Sequence, residues 1–357
     1  MGTIVPYPDI KPEPDFGRLL TALARREPDR VPFIELFIDE PVIEAVQEAP
    51  LSADREQYWR QQVEVYWRLG FDCVPTLADV SFPHRTVGAA DTAPLPMRER
   101  AWLDESRGSI ETWDDFARYP WPEPKESDYL PLEWAARALP EGMKLVPRGP
   151  GGVLENVMWL MGYGPMSYAL ADQPDLVAAV FDRCGEILVQ VFDTLAGHPA
   201  VGAVFLGDDM GFKTQTMISP AAMRQYVFPW QRRIAQVVHS HGKPLLLHAC
   251  GNLETVMDDL IDTVGIDGKH SFEDVIMPIT EAKRRWGDRV ALLGGIDMDL
   301  LARGTPEQVR ARTREVLEHC MPGGGFALGS GNTVANYVRL ENYLAMLEEG
   351  WRLGRYR

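Results

Sequence analysis

Lys243-Pro-Leu-Leu-Leu-His-Ala-Cys-Gly-Asn252 is an apolar run that turns abruptly polar, and it sets the pattern for the rest of the chain. Side chains two apart on a strand share a face, so His248 and Cys250 project together as two soft metal-ligand candidates. Taken alone, such a pair is more often a core histidine beside a buried cysteine, so its surroundings must decide. A helical apolar period from Pro220 to His241 precedes the run. Another, from Leu253 to Thr263, follows it and leads to a short strand at Gly265–His270.

The same alternation continues in both directions. Upstream, Val201–Leu206 ends at Gly207-Asp208-Asp209, and Met143–Pro147 runs into Arg148-Gly-Pro-Gly-Gly152, with helical spacing at 153–170 and 173–196. Downstream, a helix near 275–286 leads to Val290–Asp297, one at 305–320 leads to Gly324–Asn332, and a last helix covers 334–352. Toward the N-terminus, Phe16–Arg26 has helical spacing and Arg30–Ile38 reads as the first strand. An amphipathic helix at 55–69 then precedes the strand Phe71–Leu77 and Asp79. Eight apolar strands, each followed by a helix and never by a hairpin partner, imply a parallel sheet, and eight such units predict an α/β fold, a TIM (β/α)8 barrel. A doubly wound sheet fits less well because no Gly-x-Gly-x-x-Gly follows an early strand. Residues 1–14, rich in proline and charge, read as an N-terminal arm, and 15–357 as a single barrel domain with an insertion near residues 81–140. The insertion holds Trp102, Trp113 and Trp121, and a long irregular excursion of this kind is expected to cover a site, here as a lid on the barrel mouth.

Composition narrows the function classes. The 357 residues are 45% hydrophobic and 25% charged, ordinary for a globular protein with a sizeable core. A formal net charge of -16 with no basic stripe argues against nucleic acid or an anionic membrane as partner. Cys73, Cys184, Cys250 and Cys320 are too widely and irregularly spaced for a disulfide framework, and no signal-peptide pattern opens the chain. No stretch approaches the roughly 18 apolar residues of a membrane helix. A soluble cytoplasmic protein is the expectation.

Barrel active sites sit at the C-terminal ends of the strands. That rule gathers Asp79, Arg148, Asp208, Asp209, His248, Cys250, His270, Asp297 and Asn332 at one mouth. Adjacent carboxylates can raise one another's pKa, so Asp208 or Asp209 suits acid–base work, although either also suits capping of a turn. Asp79, Asp209 and His270 are the catalytic candidates. Arg148, Asp208, Lys213, Gln215 and Asn332 are the substrate-binding candidates, with Arg148 suited to an anion or simply to an acidic neighbour. His270, with Glu273 close by, is as well placed to orient a carboxylate as to touch substrate. Trp159 and Tyr163 read as packing, Cys184 as core, and His198, His239, His241, His319 and Cys320 fall at the wrong end of the barrel.

Leu247-His-Ala-Cys-Gly-Asn252, Lys269-His-Ser-Phe-Glu-Asp274, Leu293-Gly-Gly-Ile-Asp297 and Gly323–Asn332, in that order, resemble the uroporphyrinogen decarboxylase superfamily, and within it the cobalamin-linked and coenzyme M methyltransferases. The resemblance is strongest over about 200–345 and implies a single TIM barrel, often paired as a homodimer. Decarboxylase members clamp substrate carboxylates with an Arg-rich N-terminal segment and hold pyrrole nitrogens with an Asp. Here Pro32–Asp39 has no Arg and carries Glu35 and Asp39, while Asp79 is the residue that corresponds to the decarboxylase Asp. Methyltransferase members hold zinc with His-x-Cys and a later Cys. His248 and Cys250 match the first two, whereas Asn332 or Ser330 stands at the third. The candidates for the missing ligand are Asp209, Glu155, His270 and Cys73, and a metal-free site is the alternative.

The resemblance thus implies a zinc-dependent methyltransferase acting on a small molecule, with a corrinoid carried by a separate partner protein. A metal-free decarboxylase or lyase using Asp79, Asp209 and Arg148 is the alternative. A non-catalytic small-molecule-binding barrel is the third reading, and it does not call for so many ionisable groups at one mouth.

Overall fold

Strands form where β-branched and large apolar residues run together, and parallel strands buried on both faces read as continuous apolar stretches. The computed structural model describes residues 10–89, 100–103 and 107–356. Among these the strands are β1 Cys73–Leu77, β2 Thr86–Ala89, β3 Arg100–Leu103, β4 Lys144–Arg148, β5 Val204–Gly207, β6 Leu245–His248, β7 Gly268–His270, β8 Ala291–Ile296 and β9 Phe326–Ser330. Seven of them form one parallel sheet in the order β1-β4-β5-β6-β7-β8-β9. The helices Leu130–Ala138, Pro174–Gly197, Phe228–Ser240, Ile279–Trp286 and Pro306–Cys320 make crossovers between successive strands.

The two-residue alternation divides the core. Leu245 and Leu247 pack outward with helix residues such as Leu188, Phe192 and Ile234. Leu246 faces the other way, with Val146, Phe205, Leu293 and Ala327, and there it meets Ile34 and Leu36 of the N-terminal segment.

Four expected elements need correcting in detail, one strand and three helices. The stretch Arg30–Ile38 is not a continuous strand of the sheet. It touches the last strand and the turn after it through isolated parallel bridges, Phe33 to Leu328 and Ile38 to Val334. Pro32 lends only its carbonyl, to Leu328 N at 3.0 Å, while Ile34 N reaches Leu328 O at 2.9 Å, and a proline cannot donate to a ladder. Gly329 permits this close approach, since a Cβ there would lie 1.9 Å from Ile34 O.

The long helices expected at 153–170 and 220–241 are both interrupted. Gly162, with φ 74, separates Val153–Met161 from Tyr163–Asp172. In the second, the missing N–H of Pro229 leaves a π-turn at Met223–Val227 before the helix Phe228–Ser240. The expected helix at 253–263 is a 3-10 turn, Glu254–Val256, and a π-turn, Asp259–Val264.

Of the expected insertion, β2 and β3 pair antiparallel, and residues 90–99 and 104–106 lie outside the described residues. Beyond them Trp113, Phe116, Tyr119 and Trp121 pack edge to face. Ser109 N and Ile110 N tie this segment to Leu160 O, near the end of Val153–Met161. No described helix is long and apolar enough to cross a membrane.

Candidate metal centre

The loops after β5 and β6 cross closely. Gly251, with φ 84, brings its Cα so near that a Cβ would stand 2.0 Å from Gly211 O. The crossing sets Asp209 against Cys250, and Asp209 Oδ1 accepts Cys250 N at 2.8 Å. His248 Nε2 lies 3.7 Å from Asp209 Oδ1 and 3.6 Å from Cys250 Sγ. Ligand atoms of Asp209, His248 and Cys250 all fall within 4.8 Å of one another. Of the four candidates for the missing ligand, Asp209 is the one that joins the pair.

The protons around this cluster can be assigned. His270 Nε2 faces Ser330 O at 3.2 Å, and a carbonyl only accepts, so that nitrogen carries a hydrogen. Burial holds His270 neutral, with its pKa lowered to about 3, and nearby Lys269 pushes the same way. His270 Nδ1 is therefore an acceptor, and the 2.7 Å contact between the two Nδ1 atoms requires His248 Nδ1 to donate. Burial, then His270 and Lys269, also holds His248 well below its ordinary value. The bare Nε2 lone pair of His248 consequently points at Asp209 and Cys250. Burial first, and then Asp209, raises the Cys250 thiol, so without a cation a proton stays on this cluster of acceptors. An imidazole lone pair, a carboxylate and a thiol whose ligand atoms lie this close together fit a divalent cation such as zinc.

Neighbouring groups trim the charge. Asn332 Nδ2 donates to Cys250 Sγ at 3.2 Å, and Ser271 Oγ lies 3.5 Å from it. Lys269, missed in the sequence, is buried beneath the site with its pKa lowered by burial to about 8. Its ammonium donates to the carbonyls of Ala249 at 2.8 Å, His270 at 2.6 Å and Ser271 at 3.1 Å. Ser271, at φ 80, is held in the left-handed region, a strained conformation for a serine. A lysine inside an apolar strand was the signal available for this residue.

The other candidates disperse. Asp208 is fully buried and serves the helix Val153–Met161, whose first amides Val153 N and Glu155 N reach it at 2.9 and 3.0 Å, with Gln231 Nε2 at 2.7 Å. It caps that helix from a different strand, and Gly152 leaves it room, because a Cβ there would lie 2.1 Å from Asp208 Cβ.

Burial nevertheless raises Asp208 to about 6 from 3.8. A carboxyl raised on folding contributes stability that is fully present below the unfolded value and lost as pH rises through the folded one. Between pH 4 and 7 the stability of the native chain relative to Asp208→Asn is therefore expected to fall by up to about 3 kcal/mol in urea unfolding. A constant difference would show that Asp208 is ionised across that range.

Asp79 is exposed and pairs with Arg55 at 3.2 Å, away from the cluster. Lys213 is exposed on the rim of a cavity of 910 Å³ that Cys250 and Asn332 also line. Gln215 is exposed on a separate cavity beside Thr216 and Asn252. Asp297 holds Asp274 N and Asp299 N, both at 2.8 Å. Arg148 lies over the Phe37 ring at 4.8 Å, makes no ion pair among the described residues, and lines a cavity with Tyr58, Gln62 and Thr76. Glu155, raised by burial and then by Asp209 and Asp208, sits behind the carboxylates. His198, His239 and His241 meet Glu133, Asp267 and Asp193 on the outer surface.

Comparisons with known proteins bear on the family and the fold. The sequence pattern of the uroporphyrinogen decarboxylase (URO-D) family matches residues 16–350. A methylated-thiol–coenzyme M methyltransferase of Methanosarcina mazei is 31% identical over 48% of this chain and 43% of its own length. A uroporphyrinogen decarboxylase of Streptomyces coelicolor is 30% identical over 52% and 48%. A methylcobamide:CoM methyltransferase of Methanosarcina barkeri is 30% identical over 37% and 36%. The matched part thus spans less than half the length of each of these relatives. The solved structure of a methyltransferase from Methanosarcina mazei superposes with a TM-score of 0.68 at 18% identity, covering 95% of this chain and 98% of that one, a likeness of fold. With the family pattern running nearly end to end, the chain belongs to the uroporphyrinogen decarboxylase family.

Proposed function

We propose that this protein is a methyltransferase of the family, in which Asp209, His248 and Cys250 hold a zinc ion and the methyl donor is a corrinoid on a separate protein. The observation that carries the reading is the bare Nε2 of His248 aimed between a carboxylate and a thiol. It is supported by the absence of Arg from Pro32–Asp39, which offers no guanidinium to the carboxylates of a polyanionic porphyrinogen. Similarity to both methyltransferases and decarboxylases leaves the reaction to the site itself.

Zinc bound there would supply a Lewis acid that holds a substrate thiol as its thiolate near neutral pH. The protein's own groups do the rest. His270 fixes the tautomer of His248, Lys269 binds the carbonyls of both flanking loops, and the Asn332 amide draws charge from Cys250. Arg148 offers a guanidinium to an anionic group of the small-molecule substrate. We take Arg30–Ile38, bridged to β9 at Phe33 rather than paired along its length, as filling the eighth position of the barrel, two copies as the working unit, and the cytoplasm as its location.

Purified protein is expected to hold close to one zinc per chain by elemental analysis. It is also expected to transfer methyl from methylcobalamin to a thiol acceptor. Folded, metal-free protein that converts uroporphyrinogen to coproporphyrinogen would instead establish the decarboxylase reading.

A further inference from the structure

Behind the cluster, one buried acid is linked through Ser330 to both His248 and Cys250. Glu35, 1% exposed, lies on the N-terminal segment and grips Ser330 at the end of β9. Ser330 N donates to Glu35 Oε1 at 2.9 Å. Ser330 Oγ lies 2.5 Å from Glu35 Oε2 and 2.8 Å from the backbone oxygen of Asn332.

A hydroxyl has one hydrogen to give. The Asn332 carbonyl can only accept, so the Ser330 hydrogen goes there, and the 2.5 Å contact then needs its hydrogen from Glu35. An ionised Glu35 would leave two oxygen lone pairs facing each other in a buried site, at a cost water cannot relieve.

We infer that Glu35 is a protonated carboxylic acid at neutral pH and is the positioning residue of the candidate metal centre. It fixes Ser330, whose carbonyl orients His270 and thereby His248, and whose hydroxyl anchors Asn332, the donor to Cys250. Two branches of hydrogen bonds leave one serine, and each ends on a different ligand. Burial acts in the same direction, raising Glu35 to about 8 against the pull of Ser330 and of the nearby Tyr343 hydroxyl. The close approach at Gly329, where an added Cβ would also stand 3.2 Å from Glu35 Oε1, brings the segment near enough for this contact.

The meaning of the inference for catalysis rests on His248 and Cys250 forming the working centre, but its test needs no metal. Infrared difference spectra of the full chain at pH 7, native minus Glu35→Gln, are expected to show the carbonyl stretch of a protonated carboxyl. Iodoacetamide labelling of Cys250 in chelator-treated protein, read by peptide mass spectrometry, follows the Asn332 branch. Glu35→Gln keeps one donor and one acceptor and is expected to label at the native rate. Glu35→Leu, Ser330→Ala and Asn332→Ala are each expected to label about 3- to 10-fold more slowly, because a weakened amide donor raises the thiol further and leaves less of the reactive thiolate.

If Glu35→Leu does not fold, Ser330→Ala carries the test, with circular dichroism confirming its fold. The inference is overturned if no Glu35-dependent carboxyl band appears, if Glu35→Gln labels as slowly as Ser330→Ala, or if folded Ser330→Ala labels at the native rate. Absence of zinc from the purified protein would defeat the methyltransferase reading while leaving these outcomes unchanged.

Discussion

A Cys250→Ala variant is expected to fold normally and to bind zinc more than about 100-fold more weakly than the native chain. Cys250 sits in the loop after β6, partly exposed, so removing its sulfur opens no core cavity. What is lost is one of three convergent ligands, leaving an imidazole and a single carboxylate. Changes to residues that merely support metal ligands already cost about 10- to 100-fold in affinity, and loss of a ligand should exceed that range. Competition against a chromophoric chelator measures the effect. Unchanged affinity in folded Cys250→Ala would remove the sulfur from the centre and, with it, the chief reason for a thiol-activating role.

Lys269→Met should produce the largest loss of stability, about 3 kcal/mol in urea unfolding, because three carbonyls at a buried position lose their shared charged donor. Methionine matches the length of the lysine stem, so packing beside Phe272 survives and the polar loss is isolated. The three carbonyls belong to Ala249, His270 and Ser271, on either side of the cluster. The strained backbone of Ser271 depends on that anchor and should relax when it is gone. An unfolding midpoint equal to that of the native chain would mean that water or another donor already serves these carbonyls.

The parallel α/β architecture was legible because each strand is a run of apolar residues ending in a turn, and each helix restores the 3.6-residue period. The first strand was less legible, since apolar character signals burial but not pairing, and Pro32 and the bridges to Leu328 and Val334 depend on a partner far away in sequence. His248 and Cys250 could be found from local spacing. Asp209 could be named only as one of several candidates, because the crossing at Gly251 and Gly211 is a tertiary fact. Asp208 carries the same charge at the same strand end, yet it serves the helix Val153–Met161. Adjacent positions on a strand point to opposite sides, and nothing in the pair Asp208-Asp209 says which side a helix terminus will occupy. Lys269 and Glu35 were hidden for a shared reason: each is a charged residue inside an apolar segment, and the three carbonyls and the serine that justify them come from elsewhere in the fold.

The contact between Glu35 and Ser330 joins residues 295 positions apart. During synthesis Glu35 therefore stays without this partner until the chain has been made past Ser330 and that stretch has left the ribosome. Long-range closures of this sort slow folding and prolong the exposure of apolar edges. The centre would then be among the last parts of the molecule to assemble, and truncated products would reach the cell with its ligands present but unaligned.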